Sequence, residues 1–199
     1  MISILVTTLL VAGAARAAEL DNAVKAMSGM EASFTQSFTP KGFKTAQVES
    51  GSVIFGALPQ MRWTYTKPEQ KLFVFDGANS WFYLPAEKQV TVGRIDNARK
   101  RELPFLLLGD AAVRGKYFTL KERKVNIYGE ATLNARDATA MIRTIGIMFL
   151  PQSHFIARLQ YTDREGNTTV FNFTGYHAAA ARPDLFRFTP PAGVQVVQP

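Results

Sequence analysis

Apolar and polar residues alternate along Met61-Arg62-Trp63-Thr64-Tyr65-Thr66. A period of two puts Met61, Trp63 and Tyr65 on one face of a strand. Lys67-Pro68-Glu69 ends the run, because proline has no N–H to give to a ladder. Leu72-Phe73-Val74-Phe75 predicts a second strand, apolar on both faces. Asp76-Gly77 is a hairpin turn signal, since glycine takes positive φ without steric cost. Trp81-Phe82-Tyr83-Leu84 predicts a third strand, Pro85 to Lys88 a turn, and Gln89 to Val92 a fourth strand. This stretch is a meander with a heavy aromatic load.

The same two patterns organise the rest of the chain. Glu31 to Thr39 alternates, Pro40-Lys41-Gly42 reads as a turn, and Thr45 to Phe55 is a long strand with Gly51 at a candidate bulge. Tyr117 to Lys124, Met141 to Leu150, Ile156 to Thr162 and Thr168 to Phe173 are further strands. Asn126 to Thr139 has no clear period. Leu20, Ala23, Val24, Met27 and Met30 recur at helical spacing and predict an amphipathic helix over Leu20 to Met30. Alternation stops between Ile95 and Gly115. There Pro104 opens a short helix filled by Phe105 to Leu108, Gly109 stops it, and Asp110 caps a second one over Ala111 to Arg114. About ten strands with frequent turns predict a barrel or sandwich.

Residues 2–12 are an apolar run followed by Ala15-Arg16-Ala17. The run is shorter than the ~20 residues that span a bilayer. It fits a secretory leader, residues 1–17, cleaved before Ala18 to leave one domain over 18–199, although no Lys or Arg precedes it. A buried N-terminal helix is the rival reading. The net charge of +7 falls to +6 without Arg16. Basic residues are scattered, so nucleic acid is not expected as a partner. The absence of Cys excludes disulfides, cysteine-based metal sites and an N-terminal lipid anchor on the chain itself.

Catalytic signatures are missing. His154 and His177 sit in no HExxH, and no Ser sits in a GxSxG elbow. Gly109 to Tyr117 imitates a phosphate loop, but five residues separate its glycines and Tyr117 stands where Ser or Thr would bind Mg²⁺. The carboxylates are spread singly, so neither a metal nor a cofactor is expected. The surplus aromatic residues could fill the interior or line a cavity, and composition leaves both open.

Arg62-Trp63, the Pro68 turn, Asp76-Gly77, Trp81-Phe82-Tyr83 and Gln89-Val90 together resemble the periplasmic lipoprotein carrier (LolA) family. Ala32-Ser33-Phe34-Thr35-Gln36 and Phe186-Arg187-Phe188-Thr189-Pro190-Pro191-Ala192-Gly193-Val194 extend the resemblance over nearly the whole chain. It implies a mainly β fold with a few helices: an open, incomplete antiparallel β-barrel of about ten or eleven strands covered by short α-helices. It implies a periplasmic carrier, not an enzyme, that binds the acyl chains of lipoproteins. An inner-membrane ABC transporter would supply the cargo. An outer-membrane receptor, or the outer membrane itself, would accept it from the monomeric carrier.

The cavity would be lined by Met61, Trp63, Tyr65, Leu72, Val74, Trp81 and Tyr83, and the lid would be Phe105, Leu106 and Leu108. A crossover packed on the sheet and a membrane-touching segment are rival readings of the lid. One position departs from the family. An Arg that latches the lid stands before the Pro in the best-known carriers, and here that position is Leu58. Two other classes stay in view: a secreted sensor or lipid-binding protein of the same fold, and a hydrolase with His154 or His177 as base.

Overall fold

The computed structural model describes residues 12–180, 182 and 184–198. The apolar part of the expected leader, residues 2–11, lies outside them. Helix α1 covers Ala12–Ala26. It buries Leu20 and Ala23 completely, and Met27 just beyond its end is buried on the same face marked by their spacing. The helix ends earlier than the expected Met30. Gly29 takes a φ of +76°, the Met30 N–H closes a turn on the Met27 carbonyl, and Met30 already belongs to a strand.

Six strands follow: β1 (Met30–Thr39), β2 (Gln47–Phe55), β3 (Met61–Lys67), β4 (Lys71–Phe75), β5 (Asn79–Leu84) and β6 (Gln89–Arg94). Three short helices interrupt them: α2 (Asn97–Glu102), α3 (Pro104–Leu108) and α4 (Ala111–Tyr117). The chain returns through β7 (Phe118–Val125), β8 (Tyr128–Ala135), β9 (Ile142–Phe149), β10 (Ile156–Asp163) and β11 (Thr168–Ala178), and ends in β12 (Gln195–Val197). Among the described residues α2 and β12 are additions to the expected elements, and β8 occupies the stretch without a clear period.

All twelve strands form one sheet, in the order β12-β6-β5-β4-β3-β2-β1-β11-β10-β9-β8-β7. Every pairing is antiparallel except β12 with β6, which makes the sheet mixed. Among the described residues the strand count is thus twelve, against the expected ten or eleven. Each half of the sheet is a meander of sequential hairpins. The β1–β11 ladder joins the halves, from Met30 opposite Ala178 to Thr39 opposite Thr168.

One face of this sheet carries the core. Phe34 from β1, Val53 and Phe55 from β2, Met61, Trp63 and Tyr65 from β3, Ile145 and Ile147 from β9, and Phe171 and Phe173 from β11 all join one buried cluster. Helices α1 and α3 cover it from the same side through Leu20, Met27 and Phe105 to Leu108. The other face of β3 to β6 has a smaller cover from the C-terminal segment. Arg62 Nη1 donates to the Leu185 carbonyl at 3.3 Å, and the rings of Tyr83 and Phe188 lie 5.4 Å apart.

Gly51 lies at an irregularity in the β2–β3 ladder. The register there jumps from Ser50 opposite Lys67 to Gly51 opposite Tyr65, the bulge the sequence suggests. A Cβ on Gly51 would stand 1.9 Å from the Thr64 carbonyl oxygen, which belongs to backbone and cannot swing away. Gly51→Ala should therefore cost about 3 kcal/mol or more, the upper range for overpacking. Urea unfolding followed by far-ultraviolet circular dichroism measures it, and a loss below about 1 kcal/mol would show that the two strands can part freely.

Candidate functional site: a lidded apolar cavity

The core cluster opens on one side into a pocket. A cavity of about 230 Å³ lies between β3, β4 and the start of α3. Met61, Trp63 and Tyr65 line it from β3, as alternation along that strand requires. Phe73 and Phe75 line it from β4, opposite Trp63 and Met61 in the ladder. Leu103 to Leu106 close it from the helical side, and Phe171, Tyr161 and Gln36 complete the wall.

Four residues expected in this lining are elsewhere. Leu72 pairs with Thr64 and Tyr83, and Val74 with Arg62 and Trp81. Cross-strand partners share a face, so Leu72, Val74, Trp81 and Tyr83 occupy the side opposite Met61 and Trp63. Val74 is fully buried there, on the face that the C-terminal segment crosses near Tyr83. The run Leu72-Phe73-Val74-Phe75 is apolar on both faces, so its own pattern cannot say which face meets the cavity. The register with β3 does, and it selects Phe73 and Phe75.

Trp63 is the hub of the wall. Its ring lies 5.0 Å from Phe34, 5.3 Å from Phe171 and 4.7 Å from Phe105, in edge-on or tilted contacts that suit aromatic quadrupoles. Phe105 belongs to α3, is 7% exposed, and also approaches Phe171 at 5.3 Å. The lid helix thus inserts an aromatic wedge into the strand aromatics. Leu106 lines the cavity beside it, whereas Leu108 is fully buried outside the lining.

A five-residue helix cannot stand alone. Burying Phe105, Leu106, Leu107 and Leu108 contributes roughly 6–12 kcal/mol, at about 1.5–3 each. Ordering five residues costs about 7–8 kcal/mol at ~1.5 per residue. The two nearly cancel, so α3 keeps its place through what it touches.

The polar end of the cavity is a chain of hydrogen bonds. Tyr65 Oη donates to Gln36 Oε1 at 2.6 Å, Gln36 Nε2 donates to Glu49 Oε2 at 3.4 Å, and Lys71 pairs with Glu49. Burial, reinforced by the Glu49 charge, pushes the Tyr65 phenol far above its ordinary range. Tyr65 is thus a neutral donor, satisfied inside the wall.

Helix α3, the expected lid, has a polar tie that sequence reading did not anticipate. Arg114 on α4 is 6% exposed. Its Nη1 donates to the carbonyl of Leu108 at the end of α3, and its Nη2 pairs with Asp21 of α1. One guanidinium therefore joins α1, α3 and α4. Asp110 caps α4 by accepting from the Val113 N–H at 3.0 Å, and it pairs with Lys100 of α2 at 3.0 Å. Leu58, the position expected to depart from the family's latching Arg, packs half-buried against the core. It lies so close to the lid that a Cβ on Gly109 would come within 2.7 Å of the Leu58 Cβ.

One mixed sheet of twelve strands among the described residues, its apolar face covered by short helices, defines a class of mainly β proteins. The family described as "Outer membrane lipoprotein carrier protein LolA" matches residues 25–189. The chain belongs to this family of carriers, which are periplasmic and not enzymes. An outer-membrane lipoprotein carrier protein of Xanthomonas axonopodis pv. citri is 30% identical, over 90% of this chain and 86% of its own. A conserved Thermus thermophilus protein of uncharacterized function superposes with a TM-score of 0.59 at 13% identity, over 93% of this chain and 99% of its own. A LolA superfamily protein of Nitrosomonas europaea gives 0.50 at 9%, over 87% and 97%. At such identities the solved structures speak for the fold alone.

Arg114→Met tests the tie. It strands the Leu108 carbonyl and removes the partner of Asp21, which is 41% exposed at its side chain. A stability loss of about 1–3 kcal/mol should follow, with greater binding of an apolar dye to the empty protein. Unchanged dye binding would place the lid's hold elsewhere.

The Val113 N–H and the Lys100 ammonium hold the Asp110 carboxyl below its ordinary range. A depressed value means the contribution is complete above the unfolded value, about 3.9, and is lost as pH falls through the folded one. Amide protection at the start of α4 should therefore drop on acidification below about pH 4, and should be less pH-sensitive in Asp110→Asn.

Proposed function

We propose that this chain carries acylated lipoproteins across the periplasm by taking their acyl chains into the space that Trp63 and Phe105 now share. The carrying observation is that the lid's own aromatic residue fills part of the apolar site. The open edges of the sheet support the same reading. The ladder order ends at β12 on one side and β7 on the other, so the proposed incomplete barrel is free to widen around its contents.

The pocket beneath α3, about 230 Å³, is the space that an acyl chain would widen. In the loaded state α3 withdraws, and the acyl chain takes the place of Phe105 and Leu106 against Trp63. Each methylene moved out of water contributes about 0.8 kcal/mol, so a lipoprotein leaves a membrane only for a site of similar quality. The cavity supplies that site and makes transfer an exchange between two apolar surroundings. An inner-membrane ABC transporter would load it, and an outer-membrane receptor or the membrane itself would unload it. The carrier domain begins at Ala18, once the leader is removed.

The test is release of lipoprotein from spheroplasts into the soluble fraction by added protein. Wild type should release it. Met61→Glu puts a charge against the acyl chains and should abolish release while circular dichroism stays native. Tyr83→Ser, on the opposite face, should release nearly as wild type does. Release by Met61→Glu at the wild-type level would remove the cavity from the mechanism.

A further inference from the structure

The β1–β2 connection holds an aromatic side chain out in water. Phe43 is 69% exposed, and Val48, at the start of β2 on the same hairpin, is 54% exposed. This is not slack chain. The Phe43 N–H donates to the Pro40 carbonyl at 3.1 Å across a turn in which Gly42 takes a φ of +83°. The Lys41 N–H donates to Asn167 Oδ1 at 3.0 Å, and Asn167 is itself fixed by two 2.8 Å hydrogen bonds to Asp163. The stem of Lys41 lies over Gly166. The neighbouring β10–β11 turn thus braces the loop and keeps Phe43 projecting.

Charge completes the pattern. Lys41 and Lys44 flank Phe43, both are exposed, and residues 40–48 contain no acidic side chain. The ion pairs among the described residues include neither lysine. An exposed aromatic residue between unpaired lysines matches the interface of an anionic bilayer. The ring enters the boundary of head groups and acyl chains, and the ammonium groups meet phosphate.

We infer that the loop Lys41-Gly42-Phe43-Lys44 is a membrane-contact surface for anionic phospholipid. The inference rests on the carrier reading for its purpose. A carrier that touches the bilayer itself brings its cavity to the place where acyl chains must leave.

The full mature protein is floated with vesicles of phosphatidylglycerol and phosphatidylethanolamine, and with vesicles of phosphatidylcholine alone. Binding should be confined to the anionic vesicles and should weaken with salt. Phe43→Ser should reduce it about tenfold or more, from the apolar area lost. Lys41→Gln and Lys44→Gln should each reduce it about fivefold. All three variants should take up an apolar dye in vesicle-free solution as wild type does, which separates the loop from the cavity. Failure of wild type to float, or flotation of Phe43→Ser at the wild-type level, overturns the inference. So does a wild-type dimer in sedimentation that Phe43→Ser converts to monomer, because Phe43 would then serve contact between copies. A protein that floats as expected yet releases no lipoprotein from spheroplasts would overturn the carrier reading and leave the membrane contact standing.

Discussion

An apolar surface cannot be left open to water, and it cannot be permanently sealed if it is to receive cargo. The aromatic face formed by Phe34, Trp63, Phe171 and Phe173 sets this constraint. Exposure costs about 25 cal/mol for each Å² of apolar surface. A large single-face core needs a cover, and here that cover is α1 and the short α3. Because α3 is only Pro104–Leu108, its burial roughly offsets its ordering. In the carrier reading proposed above, such a cover shields the apolar face when empty and gives way to cargo.

The arrangement of polar groups follows from the same requirement. A cover held by apolar contact alone would slide, since such contacts are not directional. Arg114 gives α3 a fixed address by binding the Leu108 carbonyl while pairing with Asp21 of α1. Arg114 does not line the pocket, and it holds α3 at the end opposite Pro104. Leu58 adds apolar contact at Gly109. The end of α3 thus has one charged partner, from α4, and one apolar neighbour, Leu58.

Much of the fold was legible because periods of two and of 3.6 residues report burial directly. Met61, Trp63 and Tyr65 were placed on one face by alternation, and Leu20, Ala23 and Met27 on one face of a helix. The sequence was silent where burial was two-sided or absent. Leu72-Phe73-Val74-Phe75 is apolar throughout, and only its register with β3 and the C-terminal cover reveal which side meets the cavity. Helix α2, Asn-Ala-Arg-Lys-Arg-Glu, has no buried residue and hence no period, although Asp96 caps it by accepting from the Arg99 N–H. Strand β12 is three residues long and is defined by its partner β6. Arg114 looked like one charge among many because its partner Asp21 is 93 positions away. Residues that act through distant partners leave no local pattern.

The central claim is that α3 and the acyl chain occupy the same surface in turn. Amide hydrogen exchange of the empty protein and of the protein saturated with a soluble acylated lipopeptide addresses it most directly. The reporter is the Leu107 N–H, which donates to the Leu103 carbonyl at 3.0 Å in the closed lid. On loading, Leu107 and its neighbours in α3 should lose protection, while the amides of β1 and β11 keep theirs. Full protection of α3 in the loaded protein would mean that cargo binds without displacing the lid, and would contradict the exchange of one cover for the other.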